Sequence, residues 1–278
     1  MIKIAVIGIA GESVFMSVDK FGKTGETSVA LDYHNELGGK GFNQAIACAR
    51  CGAKVLFLGA AYFNDVDRFT KTAKENAIDA VLVGKNEPSP YAVITTDSKG
   101  DNNVLVYRGA ELLESDVETF REQIEKADVL LINNEVPISV NKKAVEIATQ
   151  SKVKIILNPA PHREYDKEFL DKIYLFTPNE HEIKGLEDYT NVVVTLGSKG
   201  CYVKSLDRTI PAEKVEKVVD TTGAGDTFSG VLAVCIAEGK DIIVACEKAS
   251  VASAIKVGRK YILNSIPSRL EIEKYLET

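Results

Sequence analysis

Continuous apolar runs alternate along the chain with segments whose apolar positions recur at helical spacing. The runs are KIAVIGI (3–9), KVLFLGA (54–60), DVLLINN (128–134), VKIILNP (153–159), YLFTPN (174–179) and NVVVTLG (191–197). A strand apolar on both faces must be covered on both faces, the situation of a central strand in a parallel sheet. Helices are predicted between the runs over 41–51, 65–76, 115–126, 139–151 and 167–172. The pattern is that of an α/β fold with a doubly wound, mostly parallel central sheet flanked by helices. Further on, 227–238 and 242–257 are long, apolar and rich in Ala, as buried helices packed on the sheet would be.

Two stretches break the alternation. Residues 27–36, and the pair 91–96 with 103–108 about an Asp97-Ser98-Lys99-Gly100 turn, read as antiparallel strands. They predict a small antiparallel sheet, drawn from about 27–36 and 91–108, projecting from a single domain that spans 1–278. It could be a lid over a pocket, a homodimer surface, or both.

Composition narrows the function classes. The 278 residues are 45% hydrophobic and 27% charged, enough for a core and unlike a disordered chain. A net charge of -6 gives no global attraction to nucleic acid or anionic lipid, so neither is expected as a partner, and an anionic ligand needs a local positive site. The opening MIKIAVIGIAG has no basic, apolar leader pattern, and no apolar stretch reaches the ~18 residues of a membrane span. A cytoplasmic location is expected. Five cysteines scattered over the chain suit buried thiols in a reducing compartment, and Cys48 and Cys51 fall in a helical run ending at Gly52 rather than in a redox motif.

The chemistry concentrates at Asp220-Thr221-Thr222-Gly223-Ala224-Gly225-Asp226-Thr227-Phe228, directly before a strong helix. Small residues at Gly223, Ala224 and Gly225 let amides converge on one point, and the helix dipole adds positive potential there. Such a cradle suits a phosphoryl group in transfer. Asp226 in the first turn can accept the proton of an attacking alcohol; an isolated Asp there would read as a helix cap. A second glycine-rich stretch, Gly38-Gly39-Lys40-Gly41-Phe42-Asn43-Gln44-Ala45, allows close approach of a polyol to Gly39 and Gly41, with Lys40 and Asn43 as donors. Two other motifs fail. Gly22-Lys23-Thr24 follows a serine at 17 where a P-loop needs glycine, and Gly8 and Gly11 do not make GxGxxG.

Both stretches resemble the signatures of the ribokinase-like carbohydrate kinases, the GGKG form being nearest to ribokinases. The resemblance spans nearly the whole chain. It implies transfer of the ATP γ-phosphoryl group to a sugar hydroxyl, with Asp226 as base and the Gly223, Ala224 and Gly225 amides as anion hole. Glu135 matches a sugar-contacting carboxylate, though by itself it reads equally as a polar strand end. Asn158-Pro159-Ala160-Pro161 and Thr177-Pro178-Asn179-Glu180 recur in the family, and Asn179 with Glu182 corresponds to the pair supporting the phosphates and Mg2+. Thr195, Gly197, Ser198 and Gly200 resemble the nucleotide loop, and Ser250 falls beside the adenine. Asp220, Thr222, Lys256, Arg259, Tyr261 and Ser265 stand at the positions of a monovalent cation (K+) site, where Tyr261 replaces the usual glycine.

The chain also departs from the family. The Asn and Asp that hold sugar hydroxyls after the first strand are Gly11 and Ser13 here, so that grip is lost unless Glu12 or a lid residue replaces it. Residues 183–190 leave no room for a helix usual there, and Tyr62 and Phe63 could line the pocket or pack under the lid. Two alternatives therefore stay open: a nucleoside, vitamin or sugar-phosphate kinase of the same fold, and a non-catalytic ligand sensor.

Overall fold

The apolar runs assemble side by side because each buries both faces. The structure, a computed structural model, describes residues 1–99 and 101–277; Gly100 of the expected turn lies outside the described residues. The first half runs β1 (Lys3–Ile7), β2 (Gly11–Ser17), β3 (Asp32–Gly38), α1 (Lys40–Arg50), β4 (Lys54–Tyr62), α2 (Val66–Glu75), β5 (Ile78–Lys85), β6 (Tyr91–Thr96), β7 (Asn102–Tyr107), α3 (Glu114–Thr119) and α4 (Arg121–Glu125). The second half runs β8 (Val129–Asn133), α5 (Ile138–Gln150), β9 (Lys154–Asn158), α6 (Lys167–Leu170), β10 (Leu175–Phe176), β11 (Val193–Thr195), β12 (Cys201–Val203), β13 (Arg208–Ile210), α7 (Ala224–Ala237), α8 (Ile242–Val257) and α9 (Arg269–Leu276).

Six strands form a parallel sheet in the order β10-β9-β8-β1-β4-β5. The chain winds outward from β1 through β4 and β5, then returns to lay β8 on the other side of β1. That reversal opens a crevice at the carboxyl ends of β1 and β8, the place where open α/β sheets bind ligands. Alternate residues of β1 serve opposite cores: Ile4 and Val6 join Phe42, Ile46, Val231 and Leu232, while Ala5 and Ile7 join Leu130, Ile132 and Val140. Helix α7 is buried from Asp226 to Ile236, which explains why it is apolar on every side.

The lid differs from its expected form. It has four strands in the order β3-β2-β6-β7, and its central pair, β2 with β6, is parallel. The strand expected over 27–36 runs over Asp32–Gly38 and pairs with β2 from Gly11↔Gly38 to Ser17↔Asp32. Residues 27–31 carry no strand; the pairing with β2 ends at Ser17↔Asp32, and Leu31 adds one amide bond to the Ser17 carbonyl at 2.8 Å. The hairpin of β6 and β7 is as expected. The helix expected over 115–126 is broken at Phe120 into α3 and α4, and 183–190 holds only turns. A three-stranded antiparallel sheet, β11-β12-β13, extends the far edge through the Asn179↔Thr195 bridge.

Helices α1 and α7 cross at their closest near Gly230, where a Cβ would stand 2.6 Å from both Ala47 Cβ and the Gln44 carbonyl. Gly230→Val should therefore cost about 3 kcal/mol or more, the upper end of overpacking. Gly225→Ala, whose Cβ meets nothing within 4 Å, should leave stability unchanged or raise it slightly. Chemical denaturation of both variants checks the contrast.

Candidate active site

Asp226 sits in the first turn of α7 and is 6% exposed. Two side chains from α1 hold its carboxylate: Asn43 Nδ2 donates to Oδ2 at 2.9 Å, and Gln44 Nε2 stands 3.4 Å from Oδ1. Gln44 also donates to Asn158 Oδ1 at 3.1 Å, and Asn158 Nδ2 donates to the Thr177 carbonyl at 2.7 Å. The glycine-rich stretches thus meet through an amide chain reaching across the sheet to the end of β9. Asn43, expected to serve a polyol, spends its NH2 on Asp226; its Oδ1, like Gln44 Oε1, is buried without a partner.

Gly223 caps α7 in a left-handed conformation. The Ala224 amide turns inward to the Thr221 carbonyl at 3.2 Å. Among the described residues the Gly225 and Asp226 amides have no acceptor, as expected for the first turn of a helix. The Gly223 amide likewise has none among the described residues, and these three amides, beside a held carboxylate, are the free donors of the cradle.

Lys40 and Glu135 complete the floor. The Glu135 carboxylate accepts the Lys40 amide at 2.7 Å, tying the segment after β8 to the start of α1. Burial pushes its carboxyl up to about 7, against the Lys40 charge and with help from Asp226. The Asp226 carboxylate holds the Lys40 ammonium above its ordinary range despite burial, and Glu135 and Glu182 add to this. One ammonium therefore stands among three carboxylates at the mouth of the crevice. Gly39 precedes it in a left-handed conformation.

Beyond Asp226 lies the stretch expected to take a nucleotide. Asn179 Oδ1 accepts the His181 and Glu182 amides at 2.8 and 3.0 Å, and Glu182 Oε2 accepts the Asn179 amide at 3.0 Å. Thr195 donates its amide to the Pro178 carbonyl at 2.8 Å, which brings the Gly197 to Gly200 turn alongside. Ser198 in that turn is exposed. Ser250 is buried on α8 beside Cys201. All five cysteines are free and buried.

The acceptor side is built differently from the expectation. Gly11 is packed so closely that a Cβ would lie 2.4 Å from the Pro90 carbonyl, so no side chain fits there. Ser13 is buried with its hydroxyl against Gly38. Glu12, the alternative carboxylate, pairs with Arg68, which also meets Asp65 at 3.2 Å. Tyr62 and Phe63 lie against each other, and Phe63 is exposed. The lid is tied down instead by Glu36, whose carboxylate accepts the Ile262 and Leu263 amides at 2.7 and 3.1 Å, while His34 stacks on Tyr261 at 3.7 Å.

A family model described as "pfkB family carbohydrate kinase" matches residues 1–269. The chain belongs to the pfkB family of carbohydrate kinases. It is 34% identical to the ribokinase of Haemophilus influenzae over 304 residues, covering 99% of this chain and 98% of the relative. Among solved structures it resembles the ribokinase of Giardia lamblia, with a TM-score of 0.89 at 27% identity over 99% and 98% of the two chains. The Arabidopsis thaliana ribokinase complexed with ribose and ATP gives 0.85 at 26% identity, covering 100% of both. As a ribokinase-like member of the pfkB family, the protein is an ATP-dependent carbohydrate kinase, and the sensor alternative is set aside.

Within this pfkB kinase, sequence reasoning missed Gln44 and Glu36. Gln44 lies within a recognised motif but was given no role there; nothing in the local pattern marks Glu36. Glu135 yields a prediction. An unfolded Glu ionises near 4.5 and this one near 7, so between those values the folded chain binds more protons and stability falls as pH rises. Glu135→Gln should flatten that slope, gaining on the order of 2 kcal/mol over wild type above pH 7 and nothing below 4.5. Thermal melts across the range check it.

Proposed function

We propose that this kinase transfers the γ-phosphoryl group of MgATP to a hydroxyl of a small sugar, with Asp226 as the general base. The observation that carries the reading is the carboxylate fixed by Asn43 and Gln44 beside the free Gly225 and Asp226 amides. The base accepts the hydroxyl proton as oxygen attacks phosphorus in line, and the amides face the charge spread over the transferring group. Lys40 brings positive charge to the same point. Gly39, Lys40, Gly41 and Glu135 line the acceptor side, and Thr195, Gly197, Ser198, Gly200 and Ser250 the nucleotide side.

Mg2+ commonly takes one or two carboxylates and keeps its remaining positions for phosphates and water. Among the described residues no group of three or more His, Cys, Asp or Glu gathers around one point. Glu182, close enough to act on Lys40 and braced by the Asn179 amide, is the carboxylate that fits. When bound with the nucleotide the ion would draw charge from the β- and γ-phosphates.

Ribose, named for relatives, is the first acceptor to test. The closed approach of Gly11 to Pro90 and the pairing of Glu12 with Arg68 favour a second reading, in which the acceptor is a nucleoside, vitamin or sugar phosphate. The free, buried thiols suit a reducing compartment, and a cytoplasmic location is the reading they support. Among the described residues no helix is long and apolar enough to cross a membrane. A second copy of the chain is the partner that suits the lid, whose edge strand exposes Val104, Leu105, Val106 and Tyr107.

ADP release measured over pentoses, hexoses, nucleosides and phosphorylated sugars should show turnover with one acceptor class, and nucleotide binding without turnover on any would contradict the reading. Asp226→Asn should fold as wild type and lose roughly 10²- to 10⁴-fold in kcat. Leu105→Glu should shift a sedimenting dimer to monomer; a wild-type monomer would refute the lid interface.

A further inference from the structure

Behind the loop that leads into α7 stands a charge that the transfer chemistry does not use. Lys256, in the last turn of α8, has a side chain that is 0% exposed. Its ammonium donates to the Asp220 carbonyl at 2.8 Å and lies 3.7 Å from Asp220 Oδ2. The Asp220 carboxylate is itself committed to two amides, Thr222 at 2.9 Å on Oδ1 and Tyr261 at 3.1 Å on Oδ2. Burial pulls the Lys256 ammonium down from its ordinary range, while Asp220, Glu36 and Asp226 act to keep its charge. A buried ammonium is expensive unless acids and carbonyls surround it, and here they do.

Several of the oxygens that a monovalent cation would need are already engaged. The Asp220 carbonyl holds Lys256, and both Asp220 carboxylate oxygens hold amides. Ser265 Oγ stands 2.6 Å from the Tyr261 carbonyl and 2.9 Å from that of Ile262, which also accepts the Ser265 amide at 3.0 Å. Arg259 adds a second fixed positive charge, anchored to Glu271 at 2.6 Å. A bound ion needs several oxygen lone pairs turned to one point, away from other cations. The residues here do not fit K+.

We propose that the Lys256 ammonium is the resident cation of this loop, standing in place of a bound monovalent ion and holding Asp220 so that phosphoryl transfer proceeds without K+. The inference rests on the kinase reading above. Lys256 touches neither substrate; it is a positioning residue. It acts through Asp220, whose carboxylate draws together Thr222, just before the amide cradle, and the Tyr261 turn onto which Glu36 fastens the lid.

The decisive comparison is wild-type turnover with tetramethylammonium as the sole monovalent cation and then with KCl added; the two rates should agree. Lys256→Ala should lose roughly 10²-fold in kcat, the scale of a lost oxyanion-hole donor, with little change in KM for ATP. K+ or NH4+ should restore part of that loss, because the truncated side chain leaves room for an ion. Lys256→Met, which fills the space without charge, should be as slow and unrestored. A purely structural lysine would show no rescue by ions. K+-dependent wild-type turnover, or wild-type kcat in Lys256→Ala without K+, would overturn the proposal. A readout free of turnover separates this failure from failure of the kinase reading: the wild-type melting temperature should be equal in KCl and tetramethylammonium chloride. A K+-specific rise would refute the resident cation even if no acceptor turned over or the variants did not fold.

Discussion

The close crossing of α1 over α7 is the constraint on which the site depends. It brings Asn43 and Gln44 to a carboxylate 183 and 182 residues away, and it is set by the absence of a side chain at Gly230. A carboxylate that is to take a proton from an alcohol must be held in one orientation, and two amide donors on a rigid helix do this at little entropic cost. The same crossing fixes where the first-turn amides of α7 point relative to Lys40. Base, cradle and cation are thus one rigid unit rather than three loops that must find each other.

Electrostatics explains why that unit suits an anionic group despite the acidic chain. Lys40 faces Asp226, Glu135 and Glu182, Lys256 lies behind the loop, and the α7 dipole points outward. Glu135 tempers the local negative charge by holding its proton up to about 7. The donors open to an anion are local, the first-turn amides of α7 and the Lys40 ammonium, and the net charge of -6 has little say there.

The parallel sheet, its flanking helices and the two motifs were legible because each is a contiguous pattern. Asp226 could be singled out from its neighbours alone. What escaped were relations across the chain. Gln44 looks like any polar residue on a helix until Asp226 is brought beside it, and Lys256, expected at a cation site, could not be seen from the sequence to bring its own ammonium to Asp220. Strand β2 is absent from the expected elements because GESVFMS alternates only weakly; its pairing with both β3 and β6 makes it a strand. Strands β12 and β13, three residues each, are too short for periodicity to reveal. The strand expected over 27–36 begins only at Asp32, where its pairing with β2 starts, something composition cannot show.

The two halves of the site have therefore diverged unequally. On the phosphoryl side Asp226 is held by Asn43 and Gln44, whereas the acceptor side has Gly11 packed against Pro90 and Ser13 against Gly38. The central claim is that Asp226 acts as a base in a direct, in-line transfer and never carries the phosphoryl group itself. The stereochemical course at phosphorus, followed with ATP made chiral at the γ-position by oxygen isotopes, tests this most directly. Inversion of configuration is predicted for a single displacement; retention, requiring a phosphorylated carboxylate between two displacements, would contradict it.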